Sequence, residues 1–260
     1  MSSIPSVVFI VPYRDRENQL TLFRRHMRDV VLADCGYDYQ ILVVHQTDTR
    51  TFNRGALKNI GFLWVKSTWP DDYQQITLVF HDVDTMPYRG DMFDYRTVPG
   101  VVKHFYGFTF ALGGMVSICG GDFERVGGFP NFWGWGYEDN CLNNRVNKTS
   151  DITIDRSHFY PIAHPDILHV MDGFEKSVNR KEFDKYIAHS PEGWASLQNI
   201  TWNYLPDAVY DLWGQLDVST FFTGREEDTS KTKMYDMRNG PRPYEPLLGR
   251  GRVEKRWSMF

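Results

Sequence analysis

Three short apolar runs, separated by two segments of helical period, set the tightest limit on how this chain folds. Val7-Val8-Phe9-Ile10-Val11 is continuous and rich in β-branched residues, the pattern of a strand covered on both faces. Leu20, Phe23, Met27, Val30 and Val31 then recur at helical spacing. A second run, residues 41–44, precedes Leu57, Ile60, Leu63 and Trp64, again one face of a helix. The third run, residues 77–80, ends at His81-Asp82-Val83-Asp84. This β-α-β-α-β order predicts a mainly parallel sheet with helices on its faces. Ligands of such sheets bind beyond the carboxyl ends of the strands. Pro12, Gln46 and Asp82 lie just beyond those predicted ends.

The rest of the chain is less regular. Residues 113–135 are rich in Gly and aromatics and read as strands and loops, and residues 165–190 read as a mobile loop. Residues 223–260 form a polar tail that ends basic, with Arg250, Arg252, Lys255 and Arg256. The expected division is a catalytic-sized domain over residues 1–222 and an extension over 223–260. With 260 residues, 42% hydrophobic and 24% charged, the composition is that of a soluble globular protein. A net charge of −4 gives no reason to expect nucleic acid as a partner. Three scattered cysteines, Cys35, Cys119 and Cys141, are not a disulfide framework and point to a reducing compartment. No stretch approaches the roughly 18 apolar residues of a spanning helix, and the first strand follows too closely on Met1 for a signal peptide. The expectation is therefore a soluble or cytoplasmic chain. The sequons at Asn147 and Asn199 read as chance matches.

Three groups of residues carry the chemistry. Asp82 and Asp84 point the same way if the backbone is extended, so together they can hold a hard cation or divide their work between a metal and a ribose. A solvated Asp pair in a turn is the plainer alternative. Arg14 and Arg16, after the first strand, and Arg54, at the start of the second helix, can take a diphosphate through forked hydrogen bonds. Trp133-Gly134-Trp135-Gly136-Tyr137-Glu138-Asp139 is the least generic stretch. Its acids suit a general base and an orienting partner. A helix N-terminus would also favour adjacent acids, but it would not explain the tryptophans.

In this order the motifs resemble those of the β-1,4-galactosyltransferase family, metal-dependent inverting enzymes. The residues carrying the resemblance are Pro12-Tyr13-Arg14-Asp15-Arg16, Phe52-Asn53-Arg54-Gly55, Asp82-Val83-Asp84, Gly113-Gly114, Gly128-Phe129-Pro130-Asn131, residues 133–139 and Phe183-Asp184-Lys185-Tyr186-Ile187-Ala188-His189. The resemblance implies an α/β fold of the GT-A type: a Rossmann-like, mainly parallel central sheet with flanking helices and a mobile acceptor loop. It implies transfer of Gal or GalNAc from a UDP-sugar to a glycan or glycoside hydroxyl, with Mn²⁺ as cofactor and a β-linked product. Asp139 would be the base and Glu138 would position the sugars. Pro12, Tyr13, Arg14, Arg16, Phe52, Arg54, Asp82, Val83, Ala111, Gly114 and Trp135 would line the donor. Trp135, Tyr137, Glu138, Asp139 and Phe183 would meet the acceptor. Asp84 and His169 would hold the metal with Asp166 or Met171, and a preference of Mn²⁺ for oxygen puts Asp166 ahead.

The chain departs from the family in instructive places. Asn140-Cys141 follow the acids where the family commonly continues with acids, which counts against a GlcNAc acceptor. Ala111 stands where galactose-selective members carry Tyr, which leaves room for the C2 substituent of GalNAc. Without the family's disulfides and anchor, a cytosolic, bacterial or viral relative is the expected source. A catalytically weak binding protein of the same fold is the first rival reading, and the retained acids speak against it. A nucleotidyltransferase is the second, and the lack of Gly in residues 12–16 speaks against that.

Overall fold

The computed structural model describes residues 4–171, 173–179, 181, 192–208, 212–224 and 226–239. The chain begins with β1 (Val7–Tyr13), α1 (Glu17–His26, continued by a π turn over Met27–Val31), β2 (Tyr39–Gln46), α2 (Arg54–Thr68) and β3 (Thr77–His81). It goes on through β4 (Thr85–Pro87), β5 (Val101–Gly107), β6 (Met115–Cys119), α3 (Gly120–Arg125) and α4 (Glu138–Lys148). Then come β7 (Thr153–Asp155), β8 (Tyr160–Pro161), β9 (Ile167–His169), β10 (Glu175–Val178), β11 (Gln198–Pro206), β12 (Trp213–Phe222) and β13 (Lys233–Asp236).

The main sheet has the order β11-β12-β2-β1-β3-β6-β5-β7, with β8 also on β5. β1 runs parallel to both β2 and β3, and β12 joins β2 in parallel. β6 lies antiparallel to β3. The apolar run of β1 serves both faces, as its period of two requires. Val8 and Ile10 pack with α2 residues Leu57 and Ile60 on one side. Val7, Phe9 and Val11 pack with Leu20, Phe23 and Met27 on the other. The sheet is thus sandwiched by helices, the α/β arrangement expected of the sequence.

Several elements differ from expectation. Residues 113–135 contain a helix, α3; its six residues are too few to show a helical period. Val30 is 40% exposed, because the π turn swings it off the buried face of α1. Residues 165–190 are not all loop: β9 pairs with β4, and β10 pairs with β13. Beyond Phe222 the chain folds back, and Met237 N–H donates to the Phe174 carbonyl at 2.9 Å. Glu227 Oε2 accepts from the Thr51 N–H at 3.2 Å. No helix among the described residues is long and apolar enough to cross a membrane.

Two histidines on strands of the sheet, one at the end of β3 and one within β5, are held in the interior. His81 is fully buried and its Nδ1 donates to the Asp82 carbonyl at 2.9 Å. His104 Nε2 donates to the carbonyls of Tyr106 and Gly113, and its Nδ1 accepts from Arg156. Burial pushes both imidazoles down from 6.5 to about 4, and the Arg156 charge adds to the effect at His104. The unfolded chain therefore binds more protons between those two values. The resulting stability is complete above pH 6.5 and is lost as the pH falls towards 4, by about 3 kcal/mol per histidine. Thermal melting should show Tm falling from pH 7 to pH 4.5, and His104→Gln should flatten that fall. An unchanged slope in the variant would remove His104 from the account.

Candidate functional site

The site forms where the carboxyl ends of β1 and β3 meet the first turns of α2 and α4. Asn53 caps α2, its Oδ1 accepting from the Ala56 N–H at 3.0 Å. Gly55 is needed because a Cβ there would lie 2.0 Å from the Pro130 carbonyl oxygen. Asn59, a turn further on, bonds Phe129 through both its amide groups and also reaches Asn131. These contacts lock the start of α2 onto residues 128–131. They thereby join two motifs that are far apart in sequence.

Arg54, the first residue of α2, is the centre of the charges. Its Nη2 lies 2.6 Å from Asp82 Oδ1 and 3.9 Å from Asp139 Oδ2. Its Nη1 lies 3.1 Å from Glu138 Oε1. Burial opposes the guanidinium charge, but Asp82, Glu138, Asp139 and Asp84 together outweigh it and hold the group above its ordinary range. Asp82 shows the converse balance. Burial raises it, yet Arg54, Lys58 and His81 bring it below the usual carboxylate range. Glu138 goes the other way, raised by burial and by the neighbouring Asp139 charge. Its carboxylate oxygens are buried with no hydrogen-bond partner. A sequence reading misses Lys58, whose Nζ is 2.9 Å from Asp139 Oδ1. The available signal was a lysine four residues after Arg54, inside the apolar run of α2.

The Trp-Gly-Trp-Gly stretch delivers the two acids. Gly134 and Gly136 have φ of 92° and 100°, and Tyr137 has φ 75°, a left-handed conformation uncommon for a bulky residue. The chain thus turns sharply into α4, which begins at Glu138. Trp133 is a packing residue: it is 2% exposed and stacks on Phe221 at 5.5 Å, with Arg50 over both rings. Trp135 is half-buried, and its backbone N–H donates to the Ser177 carbonyl at 2.6 Å. Asp139 is held against residues 112–114. Its carbonyl accepts from the Leu112 N–H at 3.0 Å, and a Cβ on Gly113 would lie 2.3 Å from its Oδ2. Gly114 accepts at its carbonyl from the Asp82 N–H at 3.1 Å.

Asp84 pairs with Arg16, Oδ2 to Nη1 at 2.7 Å. Arg14 turns aside to the Arg50 carbonyl and Asp15, so two of the three expected arginines face the aspartates. The β4–β9 ladder sets Thr85 opposite His169, and the Val170 N–H donates to the Asp84 carbonyl at 2.7 Å. The backbone of His169, an exposed residue, is thereby brought within one position of Asp84 across the ladder. Asp166 falls across from Tyr88, at the far end of the ladder, whereas Met171 follows directly on Val170. Among the described residues no group of three His, Cys, Asp or Glu is already gathered as a metal site. Ala111 is buried within three residues of Gly114. Phe52 packs half-buried against the core, ahead of Arg54. Phe183 and the motif of residues 183–189 lie outside the described residues.

Residues 2–96 match the family model described as the N-terminal region of glycosyl transferase group 7. Residues 101–169 match the one described as the N-terminal domain of galactosyltransferase. Human β-1,4-galactosyltransferase 1 is 30% identical over 224 residues, covering 82% of this chain and 54% of that protein. β-1,4-Galactosyltransferase 4 of Cricetulus griseus is 30% identical over 192 residues, covering 68% and 53%. Xylosylprotein 4-β-galactosyltransferase of Caenorhabditis elegans is 29% identical over 180 residues, covering 63% and 60%. The chain spans about half the length of the first two. These relatives are animal proteins and lend no support to a bacterial or viral source. The catalytic domain of Drosophila β1,4-galactosyltransferase 7, solved with xylobiose, superposes with a TM-score of 0.68 at 22% identity, covering 86% of this chain and 96% of that one. A mutant of the same enzyme, solved with manganese, UDP-Gal and xylobiose, superposes equally well. The fold is therefore of the GT-A type.

The charge arrangement makes a stability prediction. Arg54→Met leaves three carboxylates without their shared cation and should cost about 3 kcal/mol in denaturant unfolding. Glu138→Gln removes one of the three carboxylates around Arg54, a group that burial and the Asp139 charge disfavour, while Asp82 and Asp139 still answer the cation; stability should change by less than about 1 kcal/mol. A large loss in Glu138→Gln would mean that this carboxylate is a structural group.

Proposed function

Because the chain belongs to the β-1,4-galactosyltransferase family, we propose that it is an inverting, Mn²⁺-dependent glycosyltransferase. It moves Gal or GalNAc from a UDP-sugar to a hydroxyl of a glycan or glycoside. The observation that carries this reading is the Arg54 cluster, in which one guanidinium draws together the strand-end Asp82 and the acids Glu138 and Asp139. Arg16 and Arg54, paired in this structure with Asp84 and Asp82, are the guanidiniums that a diphosphate would draw on, and Asp82 is the carboxylate for the ribose hydroxyls. The half-buried Trp135 covers the phosphates. Pro12, Tyr13, Phe52 and Val83 complete the nucleotide side.

In the transfer, Asp139 Oδ2 takes the proton of the acceptor hydroxyl. That oxygen forms its bond to the anomeric carbon as the bond to the UDP oxygen breaks, and the electron pair leaves with UDP. Attack from the face opposite the leaving group turns an α-linked donor into a β-linked product. The Glu138 oxygens, buried beside Arg54 and without a hydrogen bond in this structure, accept hydrogen bonds from sugar hydroxyls and orient them. Phe108 and Phe110, exposed and stacked with centroids 5.1 Å apart between β5 and β6, offer a sugar face a platform.

Asp84 and His169 are the residues that would hold Mn²⁺, by one carboxylate and one imidazole. When bound, the metal supplies a Lewis acid for charge developing on the diphosphate. For the third ligand the register favours Met171 and the oxygen preference of Mn²⁺ favours Asp166. Asp166→Asn and Met171→Ala, compared for Mn²⁺ affinity, separate the two. Ala111 leaves room for an N-acetyl group, so GalNAc is included among the donors.

A panel of UDP-sugars titrated calorimetrically with Mn²⁺ present should show UDP-Gal or UDP-GalNAc binding. Binding of none of them would refute the reading. Asp139→Asn should retain donor binding while transfer falls by about 10²–10⁴-fold. Ala111→Tyr should shift preference from GalNAc towards Gal.

A further inference from the structure

Lys58 is a buried cation that the mechanism above does not use. Its side chain is 2% exposed, and its Nζ sits 2.9 Å from Asp139 Oδ1 and 4.4 Å from the centre of the Phe129 ring. Lysine is among the residues least often buried, and an interior ammonium persists only where an anion answers it. Helical spacing puts it one turn beyond Arg54, on the same face of α2. That face is locked to residues 128–131 by Asn53, Gly55 and Asn59, so the ammonium is delivered from a rigid element.

The geometry assigns Lys58 as a positioning residue for Asp139: it holds Oδ1 and so presents Oδ2 to the acceptor hydroxyl. The two carboxylate oxygens of Asp139 have different surroundings. Oδ1 is taken by the ammonium at 2.9 Å, whereas Oδ2 faces Gly113 and lies 3.9 Å from Arg54. Gly113 closes the other side, since any Cβ there would collide with Oδ2. Lys58 and Gly113 thus flank the two oxygens of the carboxyl on different sides.

This assignment rests on Asp139 being the base, and its test keeps the two claims apart. Lys58→Met fills a similar volume without the ammonium. Lys58→Gln keeps a polar end but is too short to hold Oδ1, and it serves if the Met variant does not fold. UDP-Gal and UDP-GalNAc with a panel of aryl β-glycosides provide the assay, on the pair that the wild type turns over. In either variant kcat should fall about 10–100-fold, as a misplaced reacting group requires, while the KM for the donor stays within about threefold, because the ammonium touches no proposed donor group. In the Asp139→Asn background the same substitution should change the residual rate by less than about twofold, since its effect passes through Asp139. Wild-type kcat in both variants, or a full additional loss in the Asp139→Asn background, overturns the assignment. Wild-type turnover in Asp139→Asn alone overturns the reading of Asp139 as base instead.

Discussion

A guanidinium shared by three carboxylates is the interaction around which the site is arranged. A cation at the position of Arg54 would be untenable without anions, and Asp82, Glu138 and Asp139 arrive there from two different elements. Asp82 comes off the end of β3, while the other two open α4. The start of α2 must therefore be placed accurately relative to both. The cap at Asn53, the close approach at Gly55 and the Asn59 bonds to residues 129 and 131 do this. The central sheet contributes by putting the ends of β1 and β3 side by side, so that Arg16 and Asp84 also meet.

Local rules are broken where the chemistry is expected. Glu138 is a buried carboxyl with no hydrogen bond, and Tyr137 holds a left-handed backbone just before it. A chain shaped for stability alone has no use for either feature. Both become intelligible if Glu138 is completed by sugar hydroxyls and if Tyr137 aims the first turn of α4 at the donor. Trp133 gives a contrasting lesson. It belongs to the conspicuous motif, yet it packs against Phe221 and Arg50 and acts as the anchor from which Trp135 is presented.

Much of this was legible in the sequence, and the reasons differ by element. β1, β2 and β3 announced themselves because strands buried on both faces are continuous apolar runs. α1 and α2 are long enough to show their period. Asp82-Val83-Asp84 was legible through its place at a strand end. α3 was not, because six residues hold less than two turns. β10 and β13 were not, because their pairing joins residues more than fifty positions apart and their sequences are polar. Lys58 was hidden by its type, since a lysine in an apolar helix reads as a solvated edge until its partner across the fold is known. The ladder between β4 and β9, which sets Asp166 at the far end from Asp84, is likewise a matter of register that composition does not carry.

The proposed reaction requires a base facing the donor from the side opposite its leaving group. Its most direct test is the anomeric configuration of the product made from UDP-α-D-galactose, or its N-acetylated counterpart, and an aryl glycoside that accepts it. Proton NMR of the purified product should show the large H1–H2 coupling of a β-linkage. A product with the small coupling of an α-linkage would contradict Asp139 as the base of an inverting transfer.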